Sequence, residues 1–174
     1  LDMVVAAAPD AVMLPKPNGG GDVARLGGAL DEREAARRPQ IGKLPIIAIA
    51  TETPSSLLCM LSYAHASPRL MGLAWGREDL SAAIAARTTV DEVGALTSPF
   101  RLARDLTLFA AAAAGVVAID EIHADFRDSA GLERAARAAA RDGFSAKMAI
   151  HPDQVAVINA AFTPSAEEVA EARA

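Results

Sequence analysis

Carboxylates placed just past apolar runs are the side chains of this sequence best suited to chemistry. Glu52 follows the run in IATET, Asp79 belongs to a Glu78-Asp79 pair in LAWGRED, Lys16 closes MLPK, and Asp120, Glu121, His123 and Asp125 crowd one short stretch. In a parallel α/β fold the C-terminal ends of strands, the loops that leave them and the following helix N-termini converge, so side chains there can share one ligand. Two carboxylates from consecutive strands offer two hard oxygens to a cation such as Mg²⁺, leaving about four octahedral positions for water and a chelating substrate. Each also has a plainer reading. Glu52 could be a first-turn acid favoured by the helix dipole, and Asp79 could be a helix N-cap ahead of Leu80. Glu121, His123 and Asp125 alternate along an extended segment and could bind a metal, although polar residues leaving a strand more often only solvate a loop. Gly76, three residues before Asp79, allows a backbone to approach a ligand closely.

The histidines and the cysteine add little nucleophilic chemistry. His151, between Ile150 and Pro152, is expected at the end of a strand, facing the same mouth as Glu52, where a substrate contact and a structural hydrogen bond are equally open. His65 lies among small and apolar residues at a helix end and reads as structural. Neither has a Ser or Cys partner at a spacing that suggests a triad. The single cysteine, Cys59, rules out an internal disulfide and any multi-cysteine metal site. Its LLCML neighbourhood predicts a buried small hydrophobe.

Short apolar runs alternate with longer amphipathic ones, which predicts repeated βα units around a parallel sheet. The expected strands are 11–14, 45–50, 70–75, 116–119 and 147–150. Helix starts follow a common chemistry of a small polar cap and a proline in the first turn: Thr53-Pro54, Ser98-Pro99 and, after the fifth strand, Pro152. Ser165 to Glu168 forms a capping box that opens a last helix. Leu132, Ala135, Ala136 and Ala139 share one face of a helix whose other face carries Glu133, Arg134, Arg137 and Arg141, with Gly143 ending it. Pro17 to Gly21 reads as a strand-to-helix loop. No linker divides the chain, so residues 1–174 are expected to form one domain.

Composition limits the function classes. The 174 residues carry 17 basic and 22 acidic side chains, a net charge of -5, and only 4% aromatics, which disfavours nucleic-acid binding. Alanine fills 41 positions, so the positive mean hydropathy of +0.21 reflects small helix-forming side chains. The longest apolar run, Leu108 to Ile119, is well short of the roughly 20 residues of a membrane span. Nothing at the start reads as a signal peptide, and a cytoplasmic protein is expected. Five units of roughly 30 residues fall short of the about 250 of a closed eight-unit barrel. Either some units are missing, which the start at Leu1 directly ahead of a strand favours, or the sheet is open.

The stretches LPK at 14–16, ETPSSLL from Glu52, GLAWGREDLSA from Gly72, GFSAKMAIHPDQVAVIN from Gly143 and FTPSAEEVAEAR near the end resemble, in order, the citrate lyase beta-subunit-like proteins. Their wider group includes malyl- and citramalyl-coenzyme A lyases and class II pyruvate aldolases. The resemblance implies a TIM-type (β/α)8 barrel of the phosphoenolpyruvate/pyruvate superfamily, with the five strands here as the fourth through eighth. It places the family's metal ligands, a glutamate after the fifth barrel strand and an aspartate after the sixth, on Glu52 and Asp79. It implies a Mg²⁺-dependent carbon–carbon lyase that splits a 3-hydroxy acyl thioester of citryl, citramalyl or malyl type into an acyl thioester and a 2-oxo acid. Lys16, Gly76, Arg77 and His151 are the expected substrate contacts, with backbone donors near Gly76 and Arg77 placed to hold the oxo-acid carboxylate. The family's substrate-holding arginine and the aspartate of its C-terminal lid, lent by a neighbouring subunit, have no counterpart in this chain. Glu121-Ile122-His123 also departs from the glycine- or proline-containing turn of the relatives. A homo-oligomer, trimer or larger, is expected, since an incomplete barrel leaves strand edges that associate. The alternatives are a 2-oxo-acid aldolase that uses no thioester, and a non-catalytic assembly subunit.

Overall fold

The computed structural model of the protein describes residues 1–37 and 43–173. They form two compact units, Leu1–Ala118 and Ile119–Ala174. The boundary falls inside a strand, which is why no polar linker marks it in the sequence.

In the first unit α1 (Asp2–Ala7) precedes β1 (Val12–Leu14), α2 (Gly20–Arg37), β2 (Ile46–Ile49), α3 (Pro54–Leu58), a 3₁₀ segment (Met60–His65), β3 (Leu70–Ala74), α4 (Glu78–Ala83) and α5 (Ser98–Ala114). β1 pairs with β2 and β2 with β3, both in parallel, with Leu14 opposite Ala48 and Ala48 opposite Leu73. All three strands therefore release their loops at the same edge. Ile46, Ala48 and Leu73 are fully buried together with Val23 and Leu30 of α2, Tyr63 and Phe100. Gly20 begins α2 against the 3₁₀ segment so closely that a Cβ would overlap the Ser62 carbonyl. Its N–H donates to Ser62 Oγ at 2.8 Å.

One buried cation organises the end of the unit away from those loops. Arg69, just before β3, reaches Glu34 Oε2 and Asp31 Oδ1, each at 2.6 Å, and the Leu44 carbonyl at 3.0 Å. Glu34 Oε1 in turn accepts the Leu44 N–H at 2.9 Å, so α2 is pinned to the residue leading into β2. The Arg69 guanidinium holds the Glu34 carboxyl below its ordinary value of 4.5 against the cost of burial, and the Leu44 N–H adds to that pull. A carboxylate depressed in the fold contributes stability above its unfolded value and loses it as pH falls through the lower folded one. Acid unfolding followed by circular dichroism is therefore expected to show stability declining below pH 4.5, and a shallower decline in Glu34→Gln.

α5 carries two apolar faces. Phe100, Ala103, Thr107, Ala110 and Ala111 are buried, whereas Leu102 and Phe109 are 58% and 65% exposed. Leu106, Phe109, Ala110 and Ala113 line an outer groove with Met60, Leu61 and Ala64. The N-cap of α5 is Thr97, with Ser98 already inside the helix and Pro99 in its first turn, one residue earlier than the Ser-Pro spacing predicts. Cys59 is exposed, contrary to the expectation from LLCML. It sits at the junction of α3 and the 3₁₀ segment, where Leu58 and Leu61 also face outward, so the apolar run lies on an outer surface.

The second unit begins halfway along β4 (Val117–Asp120) and continues with α6 (Ser129–Asp142), β5 (Ala146–Lys147), α7 (Pro152–Phe162) and α8 (Ala166–Glu171). β4 and β5 are parallel, with Asp120 opposite Lys147. Both strands lie off their predicted bounds, and β5 is only two residues long. Asp120, which reads as a loop residue just past its strand, is drawn into β4 opposite Lys147, the first residue of the expected fifth strand. Lys147 Nζ bonds Asp120 Oδ2 and the Glu121 carbonyl, each at 2.7 Å, with both charged side chains almost fully buried. Beyond Lys147 the chain leaves the strand, and the Ile150 N–H is taken by Gln154 Oε1. Asp128 caps α6 through Gly131 N, Gly143 ends it in the left-handed region, and the Ser165–Glu168 capping box opens α8. Leu132, Ala136 and Ala139 are buried as the periodicity predicts. Among the described residues, no helix is long and apolar enough to cross a membrane.

Candidate functional site

The loops leaving β1, β2 and β3 are stitched together by four side chains. Thr53 is the N-cap of α3: its Oγ1 accepts the Ser56 N–H and donates to the Pro17 carbonyl at 3.1 Å, joining the second loop to the first. Thr51, fully buried, both donates to the Gly76 carbonyl and accepts the Gly76 N–H at 2.9 Å, joining the second loop to the third. Ser56 Oγ donates to the Ala50 carbonyl and meets Tyr63 OH, each at 2.6 Å, which fixes the floor beneath. On this frame Glu52 projects from the turn after β2, ahead of the Thr53 cap, so it is not a first-turn acid. Asp79 lies in the first turn of α4, whose N-cap is Arg77 with no side-chain cap bond. It is therefore not the cap.

Lys16 closes the arrangement. Its backbone N–H donates to Glu52 Oε2 at 2.6 Å, and its Nζ donates to Asp79 Oδ1 at 2.8 Å. The residue is held at φ 50°, in the left-handed region, which turns the N–H toward Glu52 while the side chain crosses to Asp79. The two carboxyls thus meet on one residue. Burial pushes Glu52 above its ordinary value, with Asp79 adding to the rise and the Lys16 N–H opposing it. The Lys16 ammonium holds Asp79 below its ordinary value, and Asp79 raises Lys16 in return. Like charges this close are relieved by a proton on one partner or by added positive charge. The donor set thus fits a hard divalent cation: two carboxylate oxygens on one side, with open coordination toward solvent. Among the described residues, no three His, Cys, Asp or Glu side chains come together as a metal cluster, so further ligands would be water or substrate.

The remaining expected contacts are placed differently. The Gly76 N–H is committed to Thr51, which removes it as a donor to a bound carboxylate. A Cβ at Gly76 would meet only Ile49 Cγ2 at 3.9 Å, so packing does not require glycine there. Arg77 Nε lies 3.8 Å from Glu78 Oε1. His151 belongs to the second unit, where it takes the structural role left open by the sequence: it is the N-cap of α7, with Nδ1 accepting the Asp153 N–H at 3.2 Å. Its ring stacks on Phe126 at 4.6 Å, and Arg127 lies over the same Phe126 ring.

The 120–125 stretch does not form a metal site. Asp120 is spent on Lys147, Asp125 Oδ1 accepts the Arg127 N–H, and the His123 carbonyl accepts from Gln154. His65 stands exposed at the end of the 3₁₀ segment. Thr51 and the Phe126–Arg127 pair carry structural roles that the spacing did not single out. For Thr51 the signal was a polar residue directly before a mouth carboxylate at the end of an apolar strand.

The HpcH/HpaI aldolase/citrate lyase family profile matches residues 1–152. The chain is 34% identical over 173 residues to a citrate lyase subunit beta-like protein of Mycobacterium tuberculosis, covering 99% of this chain and 57% of that one. It is 40% identical over 100 residues to the mitochondrial citramalyl-CoA lyase of Mus musculus, covering 58% of this chain and 28% of that protein. Among solved structures, the citrate lyase beta subunit of M. tuberculosis complexed with oxaloacetate and magnesium aligns with a TM-score of 0.76 at 33% identity, over 94% of this chain and 66% of that one. The CitE protein of M. tuberculosis complexed with magnesium, acetoacetate and coenzyme A aligns with a TM-score of 0.78 at 34% identity, over 99% of this chain and 59% of that one. The chain thus spans less than two thirds of the length of these relatives. With a family profile across most of its length and a relative at this identity along nearly all of it, the chain belongs to the HpcH/HpaI aldolase/citrate lyase family.

Proposed function

We propose that the protein is a Mg²⁺-dependent carbon–carbon lyase that cleaves a 3-hydroxy acyl thioester of citryl, citramalyl or malyl type into an acyl thioester and a 2-oxo acid. The observation that carries this reading is the convergence of Glu52 and Asp79 on one residue, Lys16, at the shared edge of three parallel strands. The relatives solved with magnesium and oxaloacetate or acetoacetate support it. Glu52 and Asp79 would hold the ion. When bound, it supplies Lewis-acid stabilisation of negative charge on oxygens of the substrate. The chain's own residues do the positioning: Thr51 and Thr53 fix the three loops, and Lys16 orients Glu52 and presents an ammonium to an anionic substrate. Arg77 contributes a second positive charge beside Asp79 for the oxo-acid carboxylate.

Closure of a (β/α)8 barrel in which these five strands are the fourth through eighth belongs to the same reading, as does a cytoplasmic location. A homo-oligomer, trimer or larger, belongs to it too, supported by the outward apolar side chains Leu58, Leu61, Leu102 and Phe109. The test is a coupled assay of 2-oxo acid release. In a form extended at both ends to supply the family's arginine and lid aspartate, citryl-, citramalyl- or malyl-coenzyme A is expected to be turned over and free 4-hydroxy-2-oxo acids left intact. Turnover of the free acids alone would favour the aldolase reading.

A further inference from the structure

We propose that Lys16 is an internal counter-ion, displaced from Asp79 when a divalent cation enters and transferred to the carboxylate of an anion that chelates that cation. This rests on the metal-binding reading of Glu52 and Asp79. Three features of Lys16 point to it. Its Nζ occupies Asp79 Oδ1, one of the two oxygens that Asp79 offers to a cation. Its side chain is 59% exposed, so the ammonium can swing away without disturbing a packed core. Its backbone is anchored separately, by the N–H on Glu52 Oε2 and the left-handed φ, so the displaced ammonium stays tethered beside the site.

An ammonium and a dication a few ångströms apart repel, and at a protein surface that repulsion corresponds to a free energy of at least a factor of several in affinity. Lys16 therefore competes with the metal while no anion is present. Once an anion chelates the metal, the released ammonium gains a charge-assisted partner. The metal and the anion then favour each other's binding, by the same factor in both directions. A single residue thus carries two effects of opposite sign.

The test is calorimetric titration of Mg²⁺ into the protein, alone and with saturating pyruvate as a 2-oxo acid probe. Lys16→Met is expected to bind Mg²⁺ alone about five- to thirty-fold more tightly than wild type. Pyruvate chelates the ion directly and is expected to tighten Mg²⁺ binding in both proteins, by about fivefold more in wild type than in Lys16→Met. Lys16→Arg, which keeps the charge, should behave as wild type in both arms, and thermal melts establish that each variant is folded. Unchanged or weaker Mg²⁺ binding in folded Lys16→Met, or undiminished coupling to pyruvate, overturns the counter-ion role while leaving the metal site in place. Absence of Mg²⁺ binding in wild type overturns the metal reading itself and the counter-ion role with it.

Discussion

Glu52→Gln and Asp79→Asn are each expected to weaken Mg²⁺ binding on the order of 100-fold or more, with the fold retained. Each substitution is nearly isosteric and keeps an oxygen for its hydrogen bond, but removes one of only two anionic ligands. Glu52→Gln leaves the Lys16 N–H an acceptor, and Asp79→Asn leaves the Lys16 ammonium an amide oxygen. Both replacements also remove what Asp79 adds to the rise of Glu52, which burial dominates, in the metal-free protein. Their melting temperatures without metal are therefore expected to match or exceed wild type. That combination separates a lost ligand from a lost fold: a merely structural pair would show the opposite pattern, a fall in stability with metal binding unchanged. Titration calorimetry with scanning calorimetry reads both quantities from the same samples.

The second large effect concerns stability. Arg69→Met is expected to destabilise the first unit by about 3–5 kcal/mol, because it strands the Glu34 carboxylate without its cation in a nearly closed environment. Against a typical total of about 5–15 kcal/mol, this moves the urea midpoint far enough to leave the protein partly unfolded near physiological temperature. Arg69→Lys recovers only part of the loss, since one ammonium cannot reproduce the fork that reaches Glu34, Asp31 and the Leu44 carbonyl together. The double variant Arg69→Met with Glu34→Met should be less damaged than Arg69→Met alone, because the stranded charge is gone. A double variant that is the sum of its parts would mean that the pair does not act as a unit.

The positions of the chemical groups were legible in the sequence to the extent that a strand announces its own end. Apolar runs followed by Lys16, Glu52 and the Glu78-Asp79 pair placed all of these at strand ends, and the Pro-led helix starts after Thr53 and His151 are present as read. Whether a given carboxylate caps a helix or turns toward a ligand was not legible, because both uses demand the same residue type at the same spacing. Contacts across 36 and 63 residues decide it, and no local pattern carries those. The errors at β4 and β5 meet at one pair: Asp120 reads as a loop residue past its strand and Lys147 as the first residue of the next, yet they lie opposite each other and neutralise each other inside the fold. Cys59 failed for the converse reason. A run of apolar letters implies burial only if the element that carries it presents that side to a core, and the turn joining α3 to the 3₁₀ segment does not.

The central claim is that Glu52 and Asp79 share one divalent cation. Anomalous diffraction from crystals of the protein soaked with Mn²⁺ in place of Mg²⁺ tests it most directly. The expected result is one principal peak with a Glu52 oxygen and an Asp79 oxygen each at about 2.0–2.3 Å, and with the Lys16 ammonium withdrawn from Asp79. A peak held by only one of these carboxylates, a peak at another site, or no peak at saturating Mn²⁺ would contradict it.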